Sequence, residues 1–276
     1  MPAANERALE KAQSIPADAL IFDLEDAVAP DAKEAARANA AAAASSGAYG
    51  SREVTIRCNG LDTSWGAADL AAAARSGAAA VVIPKVNSVL ALDAVARALD
   101  QAGAPSNMSI WAMIETPTAI FDVRAIAAHR RVKVLVMGTN DLAKELRSTG
   151  RSTLSPYLAT AVLAAREAGI AILDGVFNDV KNADGFMEEC IEGQRMGFDG
   201  KTLIHPSQVG PCNDAWAPGK AEIAYAERVI AAFDEALADG RGVVTVDGRM
   251  IENLHVDNAR RTLSVAAAIA ALAEPG

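Results

Sequence analysis

Two acidic side chains stand just past apolar runs, in positions that suit metal chemistry. Ser109-Ile-Trp-Ala-Met-Ile114 leads into Glu115-Thr116-Pro117, and Val132-Lys-Val-Leu-Val-Met137 leads into Gly138-Thr139-Asn140-Asp141. Each run has the continuous apolar character of a strand buried on both faces of a parallel sheet. In barrel and doubly wound α/β folds, chemistry sits at the carboxyl ends of the strands. Carboxylates from neighbouring strand ends can share a hard divalent cation such as Mg2+, which keeps its other positions for water and substrate oxygens. The plainer alternative is that both acids only cap the helices that follow.

Other strand ends carry polar groups too. Asp23-Leu24-Glu25-Asp26 follows the run Ala19–Phe22. Carboxylates this close are costly to bury together without a cation or donors. They either sit near a metal, holding its waters and nearby basic groups, or form an ordinary acidic loop. Arg57 ends the run Thr55-Ile56-Arg57. Its planar fork either grips a substrate carboxylate or makes a structural ion pair with the acids of the 23–26 loop. Lys85, after Ile83-Pro84, either tunes the carboxylates, contacts substrate or fills an ion pair. Surrounding acids disfavour an imine-forming role, which needs a depressed pKa. Asp174-Gly175 and Lys201-Thr202-Leu203-Ile204-His205-Pro206 close the series; His205 is either a base or ligand or, the favoured reading, a hydrogen-bonded structural residue. No glycine-rich phosphate loop or Ser/His/Asp signature is present.

The elements that must position these groups alternate between apolar runs and Ala-rich helical stretches. The predicted strands are Ala19–Glu25, Glu53–Cys58, Ala79–Pro84, Ile110–Glu115, Val132–Met137, Ile170–Leu173 and Thr202–Ile204. Between them run helical segments such as Pro30–Ser46, Ala67–Arg75, Val89–Ala102, Thr118–His129 and Leu154–Ala168, preceded by roughly Asn5–Ser14. Pro30 and Pro117 suit first helical turns, and Gly169 and Gly197 suit helix ends. Such βα alternation predicts a parallel sheet. Near-regular spacing favours a (β/α)8 TIM barrel over an open doubly wound sheet. Only seven strands are found, so the first is expected upstream of Met1. The barrel is expected over residues 1–217. Residues 218–276 read as an appendage: a long helix Pro218–Ala238, a hairpin turning at Asp247-Gly248 and a helix Asn258–Ala273. It is expected to pack on a neighbouring subunit.

Composition narrows the function. The chain has 276 residues, a net charge of −9 and 4% aromatic content, which argue against nucleic-acid binding. It has no apolar run long enough to span a membrane, and Met1-Pro-Ala-Ala-Asn-Glu-Arg, without a basic segment followed by an apolar stretch, is not expected to act as a secretory signal. Three cysteines without paired or metal-ligand spacing fit a reducing cytoplasm.

Taken in order, Asp23-Leu24-Glu25-Asp26-Ala27-Val28, Arg57-Cys58-Asn59, Pro84-Lys85, Ile114-Glu115-Thr116-Pro117, Gly138-Thr139-Asn140-Asp141-Leu142 and Gly200-Lys201-Thr202-Leu203-Ile204-His205-Pro206 resemble the citrate lyase beta-subunit-like family, including its malyl-CoA lyase and malyl-CoA thioesterase branch. The resemblance covers nearly the whole chain. It implies a Mg2+-dependent (or Mn2+-dependent) barrel, a homotrimer or homohexamer, acting on an acyl-CoA thioester and a small 2-oxo acid. It implies that Glu115 and Asp141 bind the metal and that Arg57 grips the substrate carboxylate. Met137, Gly138 and Thr139 would line the substrate, and Glu25, Asp26 and Lys85 would surround the metal ligands. It further implies that the hairpin delivers an acidic residue, usually Asp, to an adjacent subunit. Here that residue is Glu252, one methylene longer. The expected reaction is reversible retro-Claisen cleavage of malyl-CoA to acetyl-CoA and glyoxylate; in the condensation direction Glu252 would take the proton from the thioester α-carbon, and in cleavage the same group, or water, would return it. Hydrolysis to malate and CoA stands beside it, as does a non-catalytic role in a larger lyase complex.

Overall fold

Seven parallel strands form one sheet in strict chain order. They are β1 (Ala19–Asp23), β2 (Glu53–Arg57), β3 (Ala80–Ile83), β4 (Ser109–Ile114), β5 (Val132–Met137), β6 (Ala171–Asp174) and β7 (Gly200–Lys201). Each neighbouring pair is parallel, and the sheet curls into a half-barrel. Order and curl follow from the right-handed βαβ crossover, which sets each strand beside its predecessor. The computed structural model describes residues 1–273. The chain divides into two compact units, Met1–Ala215 and the segment from Trp216 onward.

Helix α1 (Glu6–Ala12) precedes β1, and the crossovers are α2 (Lys33–Ser45), α3 (Gly66–Arg75), α4 (Val89–Gln101), α5 (Pro117–Ala127), α6 (Thr139–Leu146), α7 (Ser155–Ala168) and α8 (Ala183–Met196), with α9 (Val209–Trp216) at the unit boundary. Thr116 caps α5 by accepting from Ala119 N at 3.0 Å, and Pro117 opens its first turn. Gly169 and Gly197 end α7 and α8 in the left-handed region, at φ of 68° and 100°; there a side chain would be strained.

Strand alternation gives the sheet two faces. On one, Ala80, Val82, Trp111, Met113, Val134 and Val136 form a buried cluster joined by Ile21 and Leu173. The alternate residues, among them Phe22, Ile56, Ile110, Ile114, Leu135 and Met137, are fully buried on the other. Asp23 and Arg57 are register partners. Register also pairs Arg57 with Val82 and Val82 with Trp111, so the arginine belongs to the first face.

Two expectations need correction. The last strand is Gly200–Lys201, not Thr202–Ile204. Gly200 and Lys201 pair with Leu173 and Asp174, and the chain then turns as Thr202 donates from both N and Oγ1 to the Asp174 carbonyl, each at 3.0 Å. The apolar look of Leu203-Ile204 is misleading, since Ile204 is exposed. The last helix starts at Asn253 rather than Asn258. At the β1 edge, Pro2 bridges Asp23 in parallel, with Asp23 N donating to Met1 O at 2.8 Å and Ala3 N to Asp23 O at 3.0 Å. The first three residues thus cover part of that edge.

In the second unit, α10 (Lys220–Ala238) and α11 (Asn253–Ala273) flank the antiparallel hairpin β8 (Val244–Val246) and β9 (Arg249–Ile251). Its turn residues Asp247 and Gly248 both have positive φ, 50° and 77°, as the tight primed turn demands. Ala226, Val229, Phe233, Val246, Ile251, Val256 and Ala259 give this unit its own core.

Candidate active site

The carboxyl ends of β1 to β5 bring together most of the predicted residues. Glu115 directly follows β4, two residues beyond Met113 of the buried cluster, so alternation aims it onto the same face. It is 3% exposed, and its Oε1 accepts from the Lys85 main-chain N–H at 2.7 Å. The cap of the next helix is Thr116, so helix capping is not what Glu115 does. Burial pushes its pKa up to about 7, with Asp141 and Glu25 adding to the rise and the Lys85 N–H opposing it.

Gly138 is the next step after the register pair Ile114 and Met137. A Cβ there would overlap the Glu115 side chain; absence of a side chain is what lets the β4 and β5 ends close on each other. Gly175 has the equivalent role past the end of β6, where a Cβ would overlap Thr139. Asp141 lies in the first turn of α6, its side chain 31% exposed.

Lys85 joins these groups. Its Nζ lies 3.7 Å from Asp141 Oδ2 and 3.5 Å from Glu25 Oε1. Burial alone would lower its pKa, but Glu25, Glu115, Asp141 and Asp26 hold it above the ordinary lysine value. Its backbone is left-handed, φ 49°, which is uncommon for a residue with a side chain and costs about 1–2 kcal/mol.

Arg57 meets the acids of the 23–26 loop. Its Nε and Nη2 donate to Asp23 Oδ1 and Oδ2 at 2.7 and 2.5 Å. Nη1 lies 2.9 Å from Glu25 Oε2, 3.9 Å from Asp26 Oδ2 and 4.0 Å from Met113 Sδ. The ion-pair reading is realised, and one edge of the fork is committed to Asp23. Burial alone would lower the guanidinium pKa; Asp23 overrides this and raises it. Asp23 itself would be raised by burial, yet the Arg57 hydrogen bonds and charge hold it below the ordinary carboxylate range. Glu25 Oε2 is buried and, although close to Arg57 Nη1, lacks a well-directed hydrogen bond. Burial leads the rise in Glu25's pKa, and Asp26 adds to it.

Sequence reasoning missed the support beneath this loop. Lys33 of α2 is 6% exposed and donates to Leu24 O, Glu25 O and Asn59 Oδ1 at 2.8, 2.7 and 2.8 Å. Asn59 Nδ2 in turn reaches Leu24 O and Asp69 Oδ2, and Asp69 takes Arg37 Nε at 2.6 Å. A lysine among helical alanines gives no sign that it turns inward.

Two predicted groups, the Asp174–Lys201 pair and His205, are not at this cluster. Asp174 and Lys201 are register partners on the helix-facing side. Lys201 Nζ, fully buried, contacts Asp174 Oδ2 at 2.9 Å and Glu189 Oε1 at 2.6 Å. Arg151, unremarked in the sequence, joins them from Asp174 to Glu192. His205 caps a short turn, its Nδ1 2.7 Å from Ser207 Oγ, as a structural histidine should. Glu252 belongs to the second unit, between β9 and α11, where its N–H donates to His255 Nδ1 at 3.2 Å.

Among the described residues no three His, Cys, Asp or Glu side chains form a ready metal cage. Glu115 and Asp141 nonetheless suit a hard cation that takes few protein ligands and keeps water and substrate oxygens. A buried carboxylate beside two other acids gains from a divalent charge, and all the donors are oxygens. The donor set fits the metal.

A parallel α/β half-barrel with clustered acids at its strand ends has the layout of an enzyme that handles small anionic substrates. The chain belongs to the HpcH/HpaI aldolase/citrate lyase family, which matches residues 1–206. It is 49% identical over 274 residues to a (3S)-malyl-CoA thioesterase of Cereibacter sphaeroides (strain ATCC 17029 / ATH 2.4.9), covering 98% of this chain and 94% of that one. It is 36% identical to the citrate lyase subunit beta of Escherichia coli (strain K12), covering 96% and 90%. The crystal structure of the protein CitE from Mycobacterium tuberculosis, in complex with magnesium, acetoacetate and coenzyme A, superposes with a TM-score of 0.80 at 27% identity, covering 97% and 96%. The relatives are enzymes, and so is this chain. Among the described residues no helix is long and apolar enough to cross a membrane.

Proposed function

We propose that this enzyme hydrolyses the thioester of (3S)-malyl-CoA, giving malate and coenzyme A. The observation that carries the reading is the 49% identity to a (3S)-malyl-CoA thioesterase along virtually the whole chain. This puts hydrolysis ahead of the carbon–carbon cleavage ranked first from the sequence.

Glu115 and Asp141 would hold Mg2+, or Mn2+ in its place. When bound, the ion supplies Lewis-acid polarisation and a template for the hydroxyl and carboxylate oxygens of the malyl group. Arg57, its Nε/Nη2 edge fixed by Asp23, offers its Nη1 side to the substrate carboxylate. Asp23 thereby orients the arginine, while Glu25 moderates its charge. The main chain of Met137–Thr139 lines the substrate, and the glycine at 138 leaves room for close approach. Glu252, delivered by the hairpin of an adjacent subunit in a trimer or hexamer, takes a proton from water. The hydroxide adds to the thioester carbonyl, the C–S bond breaks with its electron pair on sulfur, and the proton passes to the coenzyme A thiolate.

Purified protein incubated with (3S)-malyl-CoA and Mg2+ tests this. Malate and free CoA in equal amounts are expected. Glyoxylate and acetyl-CoA without free CoA would overturn hydrolysis in favour of cleavage, the reading that the citrate lyase beta subunits support.

A further inference from the structure

Lys85 touches both of the proposed metal ligands, and it does so by two different routes. Its main-chain N–H holds Glu115 Oε1 at 2.7 Å, whereas its ammonium lies 3.7 Å from Asp141 Oδ2 and 3.5 Å from Glu25 Oε1. The left-handed turn at φ 49° lets one residue face the β4 end with its backbone and send its side chain back over the acids. The side chain is 52% exposed, so no packing holds the ammonium there; the acids attract it.

We infer that Lys85 is a positioning residue with two separable actions: its backbone aims Glu115, and its ammonium occupies Asp141 and Glu25 as a charge that a divalent ion must displace. The inference rests on the reading of Glu115 and Asp141 as the metal ligands. A cation drawn to Asp141 shares oxygens with the ammonium and is repelled by it. A neutral side chain at 85 therefore strengthens metal binding, although a positive group near a carboxylate site would ordinarily be taken as part of its support. The backbone hydrogen bond to Glu115 survives any substitution except proline. The ammonium sets how tightly the ion is held, so that it departs from Asp141 readily between turnovers.

The test is direct metal binding to the full chain without substrate, using Mn2+ alone by electron paramagnetic resonance and Mg2+ alone by calorimetry. Lys85→Met keeps the length and the backbone N–H and removes the charge. Its Kd should fall by about fivefold or more, the size expected when one half-exposed charge beside two acids is lost. Lys85→Arg keeps the charge and should stay within about twofold of the parent. An unchanged or raised Kd for a Lys85→Met protein with parental circular dichroism and melting would overturn the inference. The parent reading has its own control: Asp141→Asn and Glu115→Gln should each abolish binding. If both still bind like the parent, the metal-ligand assignment fails; if they lose the ion and Lys85→Met shows no gain, only the role of the ammonium fails.

Discussion

Replacing Asp23 by Asn isolates the pair on which the 23–26 loop and Arg57 depend. The Asp23 side chain is 6% exposed and faces an Arg57 that is 19% exposed. It accepts four hydrogen bonds, from Arg57 Nε and Nη2 and from the N–H groups of Glu25 and Ala27 at 2.8 and 3.1 Å. The amide keeps one acceptor oxygen and turns an NH2 toward a donor. Breaking a buried ion pair by removing one charge costs about 3–5 kcal/mol, because the surviving charge is left without its counter-ion. Glu25, 2.9 Å from Nη1, offsets part of that, so a loss of about 2–4 kcal/mol is expected. Urea denaturation at pH 7 measures it. The same pair predicts acid sensitivity. Asp23's pKa in the folded protein lies below its ordinary value of 3.8, so its contribution is complete above the unfolded value and drains away as pH falls through the lower folded one. The stability difference between parent and Asp23→Asn should therefore shrink below about pH 4. A variant within about 0.5 kcal/mol of the parent at pH 7, or a difference constant down to pH 3, would refute the assignment of Arg57's orientation to Asp23.

Gly138→Ala should push Glu115 off its Lys85 hydrogen bond, costing about 1–3 kcal/mol of stability and at least an order of magnitude in Mn2+ affinity; thermal melting and metal titration report the two effects separately. Lys201→Met leaves Asp174 and Glu189 with one fewer cation in a fully buried setting, so a loss of about 3 kcal/mol or more should appear in urea, with KM little changed because the network lies on the helix-facing side. Glu252→Gln should lower kcat for malyl-CoA hydrolysis by about 100-fold or more, the span of a lost general base, with KM nearly intact. Glu252→Asp should retain some of the rate, and product analysis would show whether cleavage emerges.

How far the sequence could be read depended on what each residue's neighbours decide. Six of the seven strands and the chain order of the sheet were legible, because strands buried on both faces read as largely apolar runs. Glu115 stood out as a candidate site residue because it ends one. The boundary of β7 was not, because two residues that form a ladder with Leu173 and Asp174 look no more strand-like than the Thr-Leu-Ile that follows. Arg57's environment was open to two readings because the sequence does not say which side of the guanidinium the loop occupies; register with Asp23 settles that. Lys33 and Arg151 were invisible, since a cation in a helix reads as surface until the fold turns it toward a carbonyl or a carboxylate.

The left-handed backbone at Lys85 sets a trap for protein engineering. Glycine is the residue such a turn prefers, and relief of the strain would reward it by about 1 kcal/mol while leaving the main-chain bond to Glu115 intact. A selection for heat resistance alone would drift toward glycine at 85 and shed the ammonium without warning. Retention of lysine there against that pull would mark a position kept for turnover at the expense of robustness.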